Sequence, residues 1–355
     1  MLESGKAGAR TITWLVELAL LSVILAACGG GAEAPATTAP SQATGSAARI
    51  LTIYSGRSKV LVEPVIGQFS KATGIQVSVK YAGTPQLAAT LLEEGDKTPA
   101  DIFLAQDPGG LGAVEHLLAP LPGSILGQVP VWAVSPEGRW VGLSGRARTV
   151  VYNTDRLTEA DLPDDIFGFI DPRWKGRIGW APSNSSFQTM VTAMRAVWGQ
   201  EKTRRWLEGI QATGPRVYPN NTSIVAAAAA GEIDVGFVNH YYLHSFLAEQ
   251  GESFKARNYH PRAGGPGAIV MVAGAGILAN SQHRESAERF LEFMLSPVAQ
   301  QYFATQTFEY PVVEGVKTGR ALVPLSAFNR PDIPAKDLMD LGGSQTLLRD
   351  TGILP

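Results

Sequence analysis

The stretch RILTIYSGR, residues 49–57, guides the interpretation of the whole chain. Residues 50–54 are rich in β-branched and aromatic side chains, and Ser55-Gly56 is a turn signal, so the stretch predicts a strand that ends in a turn. A helical pattern follows, because apolar residues recur on one face before Gly74. Residues 75–79 then alternate as a second strand. This order predicts a strand–helix–strand unit with parallel strands.

The same alternation continues through the 355 residues. It predicts further strands at 101–104, 149–152, 177–180 and 233–238, and helices at 87–94, 187–198, 201–212, 285–295 and 297–304. The alanine run 226–230 predicts the end of another helix, before Gly231. The fold class is therefore α/β. A chain of this length that is 45% hydrophobic exceeds what one core usually holds, so we expect two lobes. The net charge of −2 gives no reason to expect nucleic acid as a partner.

The N-terminal residues predict export. Lys6 and Arg10 precede an apolar run, 14–27, which is too short to span a bilayer and ends in small residues before Cys28, the single cysteine. The Leu-Ala-Ala-Cys sequence resembles the lipobox of bacterial lipoproteins, which implies a signal peptide over 1–28 and lipidation of Cys28. Residues 29–48, rich in Ala, Thr, Ser, Gly and Pro, predict a flexible tether.

Polar and aromatic residues follow several predicted strands. In open α/β sheets ligands gather beyond the carboxyl ends of the strands, which makes these loops candidate sites. Tyr241 and Tyr242 stand side by side after the strand at 233–238, and Tyr152 ends the strand at 149–152. The run 183–186 leads from a strand into a helix and offers capping groups and backbone N–H groups for an anion.

Phenols at strand ends suit a hard, highly charged cation. Tyrosine has an ordinary pKa of about 10, so only a strongly polarising metal displaces its proton near neutral pH. Ferric iron is such a cation, and tyrosinate is one of its ligands. The pattern alone leaves open whether Tyr152, Tyr241 and Tyr242 merely pack with their hydroxyl groups at the surface.

Enzyme signatures are missing from the sequence. It has no HExxH, Walker A, GxGxxG after a strand, or GxSxG motif. The segment 142–146, Gly-Leu-Ser-Gly-Arg, comes close to the last of these but ends in arginine. A lipid-anchored esterase that uses Ser144 is the remote enzyme alternative, and we expect a protein that is not an enzyme.

Several segments in order resemble the periplasmic-type ferric-iron-binding proteins, the solute-binding components of iron ABC importers. The most specific are 144–155, which contains Ser-Gly-Arg-Ala-Arg and Val-Tyr-Asn-Thr-Asp, and 239–242, which matches an Asn-x-Tyr-Tyr iron motif. Further matches are the segments 53–57, 100–103, 264–276, 295–296 and 308–311. The resemblance spans nearly all of residues 50–350.

The resemblance implies a set of site residues. Tyr152, Tyr241 and Tyr242 would bind Fe³⁺, the transported ligand. A synergistic anion such as carbonate would be bound by the residues Ser144, Gly145, Arg146 and Asn239. Weaker candidates are Arg57, Gln106, which stands where some relatives have a glutamate, and Asn184. Asp107 is an outside candidate, and Ser58 replaces a histidine that some relatives use.

The resemblance also implies the architecture and the partners. The fold would be a two-lobed, type II periplasmic-binding-protein-like fold with mixed, mostly parallel sheets, a central cleft and a hinge. Lobe 1 would comprise 49–145 and the returning segment 265–310, lobe 2 would comprise 146–264, and 311–355 would pack on the lobes. The protein would be a monomer, anchored by lipid at Cys28 outside the cytoplasm, that delivers iron to a permease and its ATPase.

The same fold also binds other solutes. A polyamine, thiamine, a phosphonate or another anion is therefore an alternative cargo, and Arg57, Arg146 and the 183–186 run suit an anion alone. A sensor lobe that signals to a membrane kinase is a further alternative, because the fold does not determine the downstream partner.

Overall fold

A computed structural model of the chain describes residues 50–319 and 321–355. The predicted signal peptide, Cys28 and the tether at 29–48 lie outside the described residues. Within the described part, every helix is too short or too polar to cross a membrane.

The strands form where β-branched and aromatic residues run together or alternate. In the described residues they are β1 (Ile50–Ser55), β2 (Gln76–Tyr81), β3 (Ile102–Ala105), β4 (Val141–Asn153), β5 (Ile178–Trp180), β6 (Arg216–Val217), β7 (Val235–Asn239), β8 (Ala256–Tyr259) and β9 (Val270–Ile277). All six predicted strands are confirmed. β4 begins eight residues earlier than the predicted start at 149, and β6, β8 and β9 were not predicted.

In the described residues the helices are α1 (Lys59–Thr73), α2 (Thr84–Glu94), α3 (Pro108–Ala113), α4 (Gly123–Leu126), α5 (Ser185–Trp198), α6 (Gln200–Ala212), α7 (Asn221–Ala229), α8 (Tyr241–Gln250), α9 (Arg284–Leu295), α10 (Pro297–Thr305) and α11 (Leu341–Asp350). Seven helices, α1, α2, α5, α6, α7, α9 and α10, coincide with predicted helical segments, whereas α3, α4, α8 and α11 were not predicted. Gly74 ends α1 in the left-handed conformation, at φ 72°. Asn184 caps α5, because its side-chain oxygen accepts the Ser186 N–H at 3.1 Å.

The strands form a mixed sheet in the order β2-β1-β3-β9-β4-β7-β5-β6, and β8 also pairs with β4. β1 pairs in parallel with β2 and β3, and β5 pairs in parallel with β6 and β7. Parallel neighbours need helical crossovers, which explains the alternation of strands and helices along the chain. β4 is the longest strand. It pairs antiparallel with β9 through Ala147, and then with β7 and β8.

Two large hydrophobic clusters account for most of the core. The first includes residues of β1, β3, α1, α2, α9 and α10, and the second includes residues of β5, β7, α5 and α6. β4 and β9 contribute to both: Val141 and Val272 lie in the first cluster, whereas Val150 and Met271 lie in the second. The fold is α/β and two-lobed, as predicted.

Candidate functional site

The two neighbouring phenols lie where β7 ends and α8 begins. Tyr241 and Tyr242 form the first turn of α8. Their rings stack, with centroids 4.3 Å apart and planes 30° apart. The Tyr241 side chain is completely buried, and its hydroxyl group has no hydrogen-bond partner. A buried polar atom without a partner in such a place indicates a ligand site.

Buried charges surround this phenol pair. Burial and the neighbouring Tyr241 raise the pKa of Tyr242 well above its ordinary value, while the cations of Arg57 and Arg146 act in the opposite direction. Tyr242 therefore keeps its proton at neutral pH.

Arg57, in the turn between β1 and α1, lies against the phenol pair. Its guanidinium carbon is 5.8 Å from the centre of the Tyr241 ring. The same guanidinium forms a buried ion pair with Glu309, and Ser144 Oγ donates a hydrogen bond to the second oxygen of that carboxylate. Burial alone would lower the pKa of Arg57, but Glu309 and the two phenols raise it, so the cation is permanent.

Two more arginines project from β4. Arg146 and Arg148 are separated by one residue, so their side chains lie on the same face of the strand. Both are almost completely buried, and Nε and Nη2 of each lack a hydrogen-bond partner. Burial and the neighbouring Arg146 lower the pKa of Arg148 to about 9. Buried guanidinium groups with free donors favour an anionic ligand.

Three N–H donors converge on one hydroxyl group at the start of α5. Ser186 Oγ lies 3.0 Å from Gln106 Nε2, 3.1 Å from Arg146 Nη1 and 3.1 Å from Asn239 Nδ2. A hydroxyl oxygen has only two lone pairs, so these donors exceed what Ser186 can accept. An oxyanion at this helix N-terminus would satisfy them better, because it offers more lone pairs and a negative charge.

His240 holds the phenol pair in place from the preceding position. Its Nδ1 accepts the Ala147 N–H at 3.1 Å, so its Nε2 carries the proton and donates to the Phe308 carbonyl at 2.8 Å. Its ring stacks on Tyr310 with centroids 4.8 Å apart. Burial lowers the pKa of His240 to about 3, which keeps the ring neutral. Phe308 has a φ of 55°, and no other non-glycine residue of the described chain has a positive φ.

Tyr152 does not belong to this site, so its prediction as a third iron ligand is wrong. In the pairing of β4 with β7, Tyr152 lies opposite Val235, the first residue of β7, whereas Tyr241 follows the last residue. The two ends of β7 are four residue steps apart, which is about 13 Å. The strands are antiparallel, so their carboxyl ends lie at opposite edges, and Tyr152 packs in the second hydrophobic cluster instead.

Ser144 and Gly145 are not available to bind an anion as predicted. The Ser144 hydroxyl donates to Glu309. The Gly145 N–H donates to the Tyr310 carbonyl at 2.6 Å, and the Gly145 carbonyl accepts the Tyr310 N–H at 2.8 Å. The other two predicted anion ligands, Arg146 and Asn239, do meet at Ser186.

The weaker candidates have different places. Arg57 lies at the phenol pair and Gln106 at Ser186, while the Asn184 oxygen is used as the cap of α5. Ser186, His240 and Glu309 have roles at the site that the sequence alone did not predict. The polar run at 183–186 was a signal for Ser186, and the resemblance of 308–311 was a signal for Glu309. In the described residues no group of three or more His, Cys, Asp or Glu side chains forms a metal site.

The fold and the buried polar site define a solute-binding protein. A family model described as bacterial extracellular solute-binding protein matches residues 65–326, and the chain belongs to this family. Its members are binding proteins, which confirms the expectation that the chain is not an enzyme.

Comparison with individual relatives shows which members of this family the chain resembles. The chain is 34% identical to the major ferric iron-binding protein of Neisseria meningitidis serogroup B, over 85% of this chain and 93% of that protein. It is 33% identical to the Fe(3+)-binding periplasmic protein of Serratia marcescens, over 82% of this chain and 88% of that protein. The crystal structure of iron-bound HitA from Pseudomonas aeruginosa matches with a TM-score of 0.82 and 33% identity, over 86% and 99% of the two chains. The predicted resemblance is confirmed.

Proposed function

We propose that this protein captures ferric iron through Tyr241 and Tyr242 and delivers it to the permease of an ABC importer. The observation that carries the proposal is the stacked pair of phenols with the unpartnered, buried Tyr241 hydroxyl group. Phenolate oxygens are hard donors, and a trivalent cation is acidic enough to displace their protons. The names of the relatives support iron as the cargo.

The two phenolates neutralise only two of the three charges of the ion. The remaining coordination positions would be filled by an anion such as carbonate, with water if needed. The converging donors of Gln106, Arg146 and Asn239, together with the first turn of α5, support a place for this anion next to Ser186. It would take over hydrogen bonds that Ser186 alone cannot satisfy.

The sequence supports the cellular setting. Cys28 would be lipidated after export, and residues 29–48 would tether the folded part, a monomer, outside the cytoplasm within reach of the permease and its ATPase. The lobes would be divided at 145/146 in β4 and near 264/265, before β9, with 311–355 packed on both. Closure would then be a hinge motion of β4 and β9.

Iron loading tests the proposal. Iron-free protein is mixed with a ferric salt and bicarbonate, and the absorption spectrum and bound iron are measured. We expect a visible phenolate-to-iron charge-transfer band and one iron per protein. Replacing Tyr241 and Tyr242 with phenylalanine should abolish both, whereas Tyr152→Phe, a matched phenol in the second hydrophobic cluster, should leave them unchanged. A colourless wild type, or an unaltered band in the double variant, would contradict the proposal.

Capture of an anion alone is the second candidate function. The unpartnered N–H groups of Arg146 and Arg148 favour it, and they oppose a polyamine cargo because both are buried cations. Thermal unfolding with phosphate, a phosphonate or bicarbonate, each with a metal chelator present, separates the two functions. If an anion raises the midpoint strongly without iron, and iron adds nothing, the anion is the cargo.

A further inference from the structure

Asp107 is a buried carboxylate that the iron site does not use. It precedes α3, its side chain is completely buried, and its Oδ1 accepts the Gly110 N–H at 3.2 Å. Its Oδ2 is buried without a hydrogen-bond partner. No lysine, arginine or histidine of the described residues pairs with it. An ionised carboxylate in such surroundings is costly unless a positive charge compensates it.

Two further oxygen atoms lie beside Asp107. Thr189 of α5 is also completely buried, and its hydroxyl group has no hydrogen-bond partner. A methyl group placed on Gly109 would lie 3.0 Å from Thr189 Oγ1, 3.4 Å from Asp107 Oδ1 and 3.5 Å from the carbonyl oxygen of Leu338. A carboxylate, a hydroxyl and a carbonyl oxygen therefore surround the side of Gly109 that carries no side chain.

We propose that these three oxygens bind a monovalent alkali cation, sodium or potassium, between α3, α5 and the short helix Ala335–Leu338. Oxygen donors of this kind suit hard cations. A single carboxylate balances a single positive charge, and the other two donors are neutral. Asp107 Oδ1 already accepts the Gly110 N–H, but Asp107 Oδ2 and Thr189 Oγ1 have no hydrogen-bond partner and remain free for a common ligand.

The position of the cation gives it a structural task. Leu111 of α3 lies in the first hydrophobic cluster, whereas Met190 of α5 and Leu338 lie in the second. The cation would therefore join elements of both clusters. The neighbouring residue Gln106 already makes a parallel link, because its amide contacts Ser185 and Ser186 at 3.4 and 3.0 Å.

Thermal unfolding of the iron-free protein in different salts tests the proposal. Equal concentrations of sodium, potassium and choline chloride keep the ionic strength constant. We expect sodium or potassium to raise the midpoint by about 2–4 °C relative to choline, because a ligand that binds only the folded state stabilises it. Equal midpoints in all three salts would overturn the proposal.

Variants locate the effect. Asp107→Asn keeps a capping oxygen for α3 but removes the charge, and it should abolish the difference between the salts. Thr189→Val should reduce the difference, and it serves as the test if Asp107→Asn does not fold. The matched control is Thr192→Val on the same helix, whose buried hydroxyl contacts Gln188 and Ser344 instead; it should keep the difference. A salt difference that survives in both Asp107→Asn and Thr189→Val would also overturn the proposal.

Discussion

The carboxylate of Glu309 is the counter-charge for Arg57 beneath the phenol pair. Both side chains are almost completely shielded from solvent. Glu309→Gln would leave the Arg57 cation buried without compensation, so we expect a loss of about 3–5 kcal/mol in the free energy of unfolding, measured with urea. The matched control is Glu63→Gln, since Glu63 forms an exposed pair with Lys59 and its loss should cost at most about 1 kcal/mol. Equal effects of the two changes would contradict this role of Glu309.

At the residue scale, the sequence located the phenol pair but not its partners. Tyr241 and Tyr242 are recognisable because two adjacent phenols at a strand end are unusual in a simple core. Glu309 and Arg57 are 252 positions apart, and only the folded chain brings them together. The error for Tyr152 has the same origin. A sequence shows that a tyrosine ends a strand, but only strand direction decides at which edge of the sheet it lies.

Glycine-to-alanine substitutions test how tightly individual helices and strands pack. Gly236 of β7 and Ile224 of α7 are both buried, and a methyl group on Gly236 would lie 2.2 Å from Ile224 Cγ2. We therefore expect Gly236→Ala to reduce the free energy of unfolding by about 1–3 kcal/mol through overpacking. Gly67, inside α1, has no atom near its absent side chain. Gly67→Ala should instead stabilise the protein by about 1 kcal/mol. Denaturant unfolding of both variants measures the change in the free energy of unfolding. We expect a decrease for Gly236→Ala and an increase for Gly67→Ala, and changes of the same sign would contradict the packing of α7 on β7.

At the element scale, the amphipathic helices and alternating strands were predictable, because their patterns are local. β9 was missed since its run of small residues, Ala273 to Gly276, carries little strand signal. The first half of β4 was missed for a similar reason, because Ser144, Arg146 and Arg148 are polar yet buried between other elements. Their burial follows from the site that they build rather than from a hydrophobic pattern.

Acid stability is a property of the whole molecule to which Asp234 contributes. Burial would raise the pKa of Asp234, but hydrogen bonds from Arg156 and Arg177 outweigh it, and the pKa lies below its ordinary value. The interaction is therefore fully present above the unfolded pKa of about 3.9 and is lost as the pH falls through the folded pKa.

We accordingly expect Asp234→Asn to cost about 2 kcal/mol in the free energy of unfolding at pH 7. The difference from the wild type should shrink as the pH falls below about 4. Urea unfolding at pH 7, 5 and 3 measures it. A difference that stays constant down to pH 3 would show that the ion pairs do not carry the effect.

The position of the bound iron is the decisive test of Tyr241 and Tyr242 as its ligands. Crystals of the iron-loaded protein, measured at the iron absorption edge, give an anomalous difference map that shows the ion itself. We expect one peak about 2 Å from the hydroxyl oxygens of both Tyr241 and Tyr242, and none at Tyr152. A peak elsewhere, or one that touches neither phenol, would show that the phenol pair is not the iron site.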